Sequence, residues 1–300
     1  MKKLKGVTVA MVTPFDEMRN INLEAVRNLS NFLIDKDVDA LYPLGTTGEM
    51  YRLTVSERKK IAETVVNEAA ERVTVYIHSG AMRLDQTIEL SKHAEKIGAD
   101  GIGAVTPSYF NVNEREMEEY YSSIAEAVSD DFPIYLYNIP QCSANDLTVK
   151  VAEKLYKKHS NIVGIKYSYP DMMRTNEYLN IADGKFSVMH GTDKIMHTIL
   201  SLGCDGVVSG ISSVYPEPFV ALYQAYQNDE REKIMKIKKL AVKFVDTLKA
   251  GANLAYFKAA LNRRGINAGY MRRPQLELTV PEKEDLYDRL DILEEELKKL

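Results

Sequence analysis

The chain has 300 residues, 45% of them hydrophobic and 27% charged, ordinary proportions for a folded globular protein. That length suits either two average domains or one α/β barrel, which runs to about 250 residues as a single unit. The formal charge is −4, with 39 basic against 43 acidic residues and no long block of one sign. This gives no footprint for nucleic acid or an acidic membrane, and no apolar run approaches the roughly 18 residues that span a bilayer.

The N-terminal stretch MKKLKGVTVAMVTPF joins basic residues to an apolar run. The run is short, contains Thr8 and lacks a small-residue cleavage site, so it reads as a buried first strand rather than a secretory signal. Further strand-like runs follow in order: ALYPLG from Ala40, VTVYIHSG from Val73, GIGAVTP from Gly101 and PIYLYNIP from Pro133. The last three are NIVGIKYS from Asn161, KFSVMHG from Lys185 and DGVVSG from Asp205. Each is nearly continuous in apolar residues, as expected of parallel strands buried on both faces.

Amphipathic helical segments separate these runs. Asn22 opens one, Thr54-Val-Ser-Glu57 has the form of a capping box, and Asp85 is placed to cap a helix that stops at Gly98. Asn113, Asp146 and Asp171 are placed to cap later helices. Eight βα units at roughly 20–35 residue spacing favour a closed (β/α)8 TIM barrel, although an open doubly wound sheet shares the local pattern. No GxGxxG follows the first strand, which argues against dinucleotide binding. After about residue 225 the strand signals stop, so residues 1–225 are expected to form the barrel and 226–300 a C-terminal helical extension packed on it.

In such a barrel, active sites are built at strand C-terminal ends and the loops beyond them. That selects Gly45-Thr46-Thr47-Gly48-Glu49, His78, Tyr109, Tyr137-Asn138-Ile139-Pro140, Lys166, His190-Gly191-Thr192-Asp193 and Ser209-Gly210. Lys166 ends the apolar run Ile162–Ile165, where burial disfavours the ammonium and leaves an amine able to attack a ketone. A strand-end lysine can equally snorkel to solvent or pair with a carboxylate. Tyr137 ends the preceding strand and can pass protons beside Lys166, or can simply be a core tyrosine. The Gly45–Glu49 loop offers hydroxyls and amides that suit a carboxylate or phosphate, but also reads as a relaxed turn; the Gly-Lys-Ser/Thr part of a Walker A loop is absent.

The five histidines form neither HExxH nor a compact ligand cluster, and no GxSxG is present. Cys142 and Cys204 show neither CxxC nor zinc-type spacing, so the expected compartment is the reducing cytoplasm.

Taken together, GTTGE at 45–49, VTPSYF at 105–110, YNIP at 137–140, GIK at 164–166 and GVVSG at 206–210 resemble the dihydrodipicolinate synthase / N-acetylneuraminate lyase family. The resemblance spans roughly residues 5–225. It implies that Lys166 forms a Schiff base with pyruvate, that Tyr137 shuttles protons, and that Thr46 and Thr47 hold the pyruvyl carboxylate. Gly45 and Tyr109 join the implied substrate-binding set. No metal or organic cofactor is implied; pyruvate and a small aldehyde or sugar acid are, with a homotetramer as the expected assembly.

Two positions depart from the family's branches. Cys142 stands where the synthases carry an arginine for the second substrate's carboxylate. Ile77-His78-Ser79-Gly80 and Ala104–Pro107 look closer to the lyases. Lys194, however, replaces the second carboxylate of the lyases' acidic pair, while Asp193 is retained. A cationic Lys194 facing the pocket would suit an acidic sugar end. Ser168, Gly191, Asp193 and Gly210 are the candidates for the variable substrate half. The expected activity is reversible cleavage of a 2-keto-3-deoxy sugar acid or N-acetylneuraminate-like substrate to pyruvate and an aldehyde. The alternatives are dihydrodipicolinate synthase chemistry on aspartate semialdehyde, a dehydratase using the same imine, and a non-catalytic ligand-binding barrel.

Overall fold

A computed structural model describes residues 1–299. Eight parallel strands close into a barrel in chain order. They are β1 (Gly6–Ala10), β2 (Ala40–Tyr42), β3 (Thr74–His78), β4 (Gly101–Val105), β5 (Ile134–Asn138), β6 (Ile162–Tyr167), β7 (Ser187–His190) and β8 (Gly206–Ser209). The seam joins β1 to β8 with Gly6 opposite Gly206, so no strand edge is left open. This is the (β/α)8 architecture expected from the alternating pattern.

The intervening helices are α1 (Leu23–Ile34), α2 (Val55–Ala69), α3 (Leu84–Lys96), α4 (Glu114–Ala125), the short α5 (Pro140–Ser143) and α6 (Val149–Lys158). They continue with α7 (Met172–Leu179), α8 (Met196–Leu202) and α9 (Glu217–Gln227). Asn22 and Asp171 cap α1 and α7, and Thr54 and Asn113 form capping boxes with Glu57 and Glu116. Two expected caps fall elsewhere. Asp85 lies inside the first turn of α3, where it pairs with Arg83 and favours the helix dipole instead of capping. Thr148 rather than Asp146 caps α6, because Asp146 accepts from the Asn138 amide and pairs with Arg174.

Two apolar layers follow from strands buried on both faces. Between strands and helices lies the main core, while Leu4, Tyr42, Tyr76, Tyr135, Val163, Met189 and Val208 fill the barrel interior. The lower interior is tied shut through hydroxyls: Tyr76 donates to the Lys2 carbonyl, and the Leu4 amide donates to Tyr135. The upper interior, at the strand C-terminal ends, opens instead into the cavity that contains Lys166.

Beyond α9 come α10 (Arg231–Thr247), α11 (Leu254–Arg263) and α12 (Val280–Leu297); α10 packs against α9, and α12 packs against both α10 and α11. The turn between α10 and α11 reaches the barrel's C-terminal mouth, where Ala250, Gly251, Ala252 and Phe257 enter the cavity wall. No described helix is long and apolar enough to cross a membrane.

Candidate active site

Tyr137 and Lys166 are register partners on β5 and β6, so adjacent strands deliver them to one point inside the barrel. Both are buried, and the Lys166 Nζ lies 4.0 Å from the Tyr137 ring centre. Burial lowers the amine to about 7, against the opposing pull of Asp193. Burial pushes the Tyr137 phenol up to about 12, with its hydrogen bonds to Thr46 and Ser168 pulling the other way. At neutral pH the pair is thus a partly unprotonated amine beside a protonated phenol. That combination can form an imine with a ketone and move the protons the step requires.

The Tyr137 hydroxyl lies 3.2 Å from Thr46 Oγ1, which links the amine to the loop after β2. Thr46 and Thr47 face a cavity of ≈ 440 Å³ that also contains Lys166, Tyr137, Ser168, Gly191, Asp193 and Gly210. Two glycines set its shape by close approach. A Cβ on Gly210 would lie 3.3 Å from Thr47 Oγ1, and one on Gly191 only 1.9 Å from Ser168 Oγ. The hydroxyls therefore rest against bare backbone on the facing strand ends.

Glu49 ends the same loop in a left-handed conformation (φ 58) with its side chain buried. Its Oε1 lies 2.8 Å from the buried Lys258 ammonium on α11, and its Oε2 accepts from Arg52. Burial lowers Lys258 to about 8 despite Glu49. The hydroxyl loop is thereby tied to a helix about 200 residues further along the chain. Nothing in the local sequence around Glu49 announces this partner.

The outer wall is made of Gln141 and Cys142 on α5, Thr192 and Lys194 after β7, and Val245, Ala250, Gly251, Ala252 and Phe257 from the C-terminal helices. Gln141 Nε2 donates to the Ser168 carbonyl. Burial pushes the Asp193 carboxyl up to about 6, opposed by the Ser209 hydroxyl, the Ile211 and Gly210 amides, and Lys166. Its Oδ1 is buried without a protein hydrogen-bond partner. Lys194 does not present a free charge to the cavity, because its ammonium lies 2.5 Å from Asp246 on α10.

Not every strand-end candidate gathers here. Tyr109 is 77% exposed, packed edge-on against Phe110 and outside the cavity wall. Gly45 is buried behind the loop, where its carbonyl accepts the Met50 amide. His78 and His190 serve the framework: His78 Nδ1 lies 3.0 Å from the Leu44 carbonyl, and His190 Nδ1 accepts the Thr192 amide. Burial pushes both imidazoles down, His190 to about 4. No group of three or more His, Cys, Asp or Glu side chains that could hold a metal occurs among the described residues. Missing from the sequence reading were Tyr42, whose ring also faces Lys166, together with Gln141, Phe257 and Lys258.

The model of the dihydrodipicolinate synthetase family matches residues 3–293. A 4-hydroxy-tetrahydrodipicolinate synthase of Methanocaldococcus jannaschii is 31% identical, over 94% of this chain and 96% of its own. The crystal structure of YagE in complex with pyruvate, a prophage protein of the dihydrodipicolinic acid synthase family from E. coli K12, superposes with a TM-score of 0.91 at 28% identity, covering 98% of this chain and 99% of the other. CdNal from Clostridium difficile, solved in complex with mannosamine, gives a TM-score of 0.92 at 25% identity over 97% and 100% of the two chains. The chain belongs to the dihydrodipicolinate synthetase family and carries the fold of its pyruvate aldolases.

Proposed function

We propose that the protein is a class I aldolase that reversibly cleaves a 2-keto-3-deoxy sugar acid, or a related acyl-sugar acid, to pyruvate and an aldehyde. The observation that carries this is the Lys166 amine, lowered to about 7 and in contact with a protonated Tyr137 that is hydrogen-bonded to Thr46. The pyruvate complex of the YagE relative supports the choice of keto acid.

The neutral Lys166 nitrogen attacks the C2 ketone while Tyr137 gives the carbonyl oxygen a proton. The phenolate recovers a proton from the nitrogen and passes it to the carbinolamine hydroxyl, which leaves as water, so that a protonated imine and the Tyr137 phenolate remain. Thr46 and Thr47 hold the substrate carboxylate with hydroxyls and backbone amides. The Tyr137 phenolate takes the C4 hydroxyl proton as the C3–C4 bond pair flows into the imine, releasing the aldehyde and an enamine. Protonation at C3 and hydrolysis then return pyruvate and the free Lys166 amine.

The choice of a sugar acid rests on the outer wall. Its cation Lys194 is engaged by Asp246, Cys142 supplies no charge, and hydroxyl-binding groups remain at Ser168 and Asp193. A neutral polyhydroxy aldehyde suits that wall better than a second carboxylate does. Dihydrodipicolinate synthase chemistry is the second reading, favoured by the name of the Methanocaldococcus jannaschii relative. We further expect a cytoplasmic homotetramer, to be checked by light scattering, with residues 226–300 acting as an extension that closes the mouth of the 1–225 barrel.

Trapping with pyruvate and borohydride, read by intact mass, tests the imine: wild type gains one reduced pyruvyl adduct and Lys166→Ala gains none. An adduct persisting in Lys166→Ala would move the nucleophile elsewhere, and pyruvate binding without any adduct would indicate a non-catalytic barrel. Turnover on 2-keto-3-deoxygluconate and N-acetylneuraminate against aspartate semialdehyde decides the branch, and the product separates an aldolase from a dehydratase.

A further inference from the structure

The Lys166 Nζ lies over two aromatic rings, 4.0 Å from the ring centre of Tyr137 and 4.7 Å from that of Tyr42. The hydroxyl of Tyr137 has work to do. That of Tyr42 has none: it is buried without a protein hydrogen-bond partner. It rests on the bare backbone of Gly103, where a Cβ would come within 2.0 Å of the oxygen. A buried phenol without a partner is an unfavourable way to fill a barrel, since Leu or Phe would occupy the space without stranding a polar atom. The ring itself is what the position supplies, and its face is turned to the amine.

A ring face does little for a neutral amine but attracts a cation. Imine formation makes one: the Nζ–C2 bond forms, the ketone oxygen leaves as water, and nitrogen keeps one hydrogen and the positive charge. We infer that Tyr42 is a catalytic residue whose π face, together with that of Tyr137, stabilises the protonated imine on Lys166. This rests on the reading of Lys166 as the imine-forming lysine.

The thermodynamics give the inference a signature. Below the amine's pKa the starting state is already an ammonium, so the ring stabilises reactant and product alike. Above it the starting amine is neutral, and the ring favours the imine alone. The titratable and charged groups around this point are Tyr42 and Tyr137 from the barrel, Asp193 after β7, His78 on β3 and, behind His78, Arg58 on α2. Apart from Tyr42 itself, all of these groups remain in place in the Tyr42 variants.

The experiment is a pyruvate titration of the cyanoborohydride-trapped adduct at pH 6 and pH 9 in wild type, Tyr42→Phe and Tyr42→Leu. Tyr42→Phe keeps the face and should follow wild type at both pH values. Tyr42→Leu should need at most about 4-fold more pyruvate at pH 6 and about 5- to 30-fold more at pH 9. Equal behaviour of Tyr42→Leu and wild type at both pH values would overturn the inference. So would an equal loss at both, which would mark a packing defect, or a Tyr42→Phe that tracks Tyr42→Leu. If Tyr42→Leu does not fold, Tyr42→Met replaces it, since a flexible side chain refills the space without a π face. Failure of wild type to trap at all would instead sink the reading of Lys166.

Discussion

Lys166 and Tyr137 sit on strands whose register and burial leave each side chain one place to go, whereas Gln141, Cys142, Lys194 and Ala250 sit exposed on loops and short helices around the rim. Around Lys166 and Tyr137 the cavity is accordingly buried, with ionisation moved by burial. The outer half is exposed, and its cation Lys194 is matched by Asp246. In a barrel of this kind the chemical step belongs to the strands, and the choice of second substrate to the connections between elements. Substitutions on the two sides should therefore differ in kind as well as size.

The largest effect is expected at Lys166. Lys166→Ala should abolish turnover and the pyruvyl adduct together, in steady-state and trapping assays. In wild type the amine must be neutral to attack, so kcat/KM should rise with pH through about 7. Stability should show the same group. The folded pKa of about 7 lies below the ordinary 10.5, so between them the unfolded chain binds the extra proton. Stability then rises with pH across that window. Thermal melts of Lys166→Met should lose part of this slope, the rest belonging to Lys258 with its own lowered pKa of about 8; an unchanged slope would mean that Lys166 is solvated.

Tyr137→Phe comes next. It keeps the ring beside Lys166 and removes the proton carrier hydrogen-bonded to Thr46. A fall in kcat of about 10²–10⁴-fold is expected, with adduct formation slowed in a rapid-quench assay. A loss confined to KM would reassign Tyr137 to binding alone.

The comparison sharpens at Lys258, which lies far from Thr46 in sequence but holds the same loop through Glu49. Lys258→Met leaves the buried Glu49 carboxylate with Arg52 as its remaining cation and should cost at most about 3–5 kcal/mol in chemical denaturation. Pyruvate KM should rise as well, because Glu49 adjoins the Thr46-Thr47 cradle. The double variant Glu49→Gln/Lys258→Met should recover part of the stability, since both fully buried charges are then removed and only the partly exposed Arg52 loses its carboxylate. Additive losses would show that the pair is not coupled.

These positions also show what could be read from the chain alone. The strands were legible because each is a nearly continuous apolar run, and that run made Lys166 conspicuous as a charge at the end of burial. Adjacent strand ends brought Tyr137 to it without further information. Tyr42 looked like an ordinary core residue, because a ring's facing depends on barrel curvature and on Gly103 across the interior. Lys258 and Phe257 were hidden by distance: only the fold brings α11 over the mouth of the barrel. Capping at Thr148 instead of Asp146 was decided by Asn138 and Arg174, partners that local sequence does not display.

Lys194 carries the smallest prediction and the one that bears most on the outer half. From sequence it could read an acidic sugar end; in the fold its ammonium is held by Asp246, and both side chains are about half exposed. A pair so solvated contributes about 0–1 kcal/mol, so Lys194→Ala should leave the melting temperature nearly unchanged. It should shift KM for a sugar acid by at most about fivefold, and equally for substrates with and without a distal carboxylate. If Lys194 instead leaves Asp246 to meet substrate, the loss will be larger and confined to substrates with a distal carboxylate, and Asp246→Ala will tighten their binding. Steady-state kinetics of both variants on a matched pair of sugar acids separates a rim held by its own ion pair from one that reads charge.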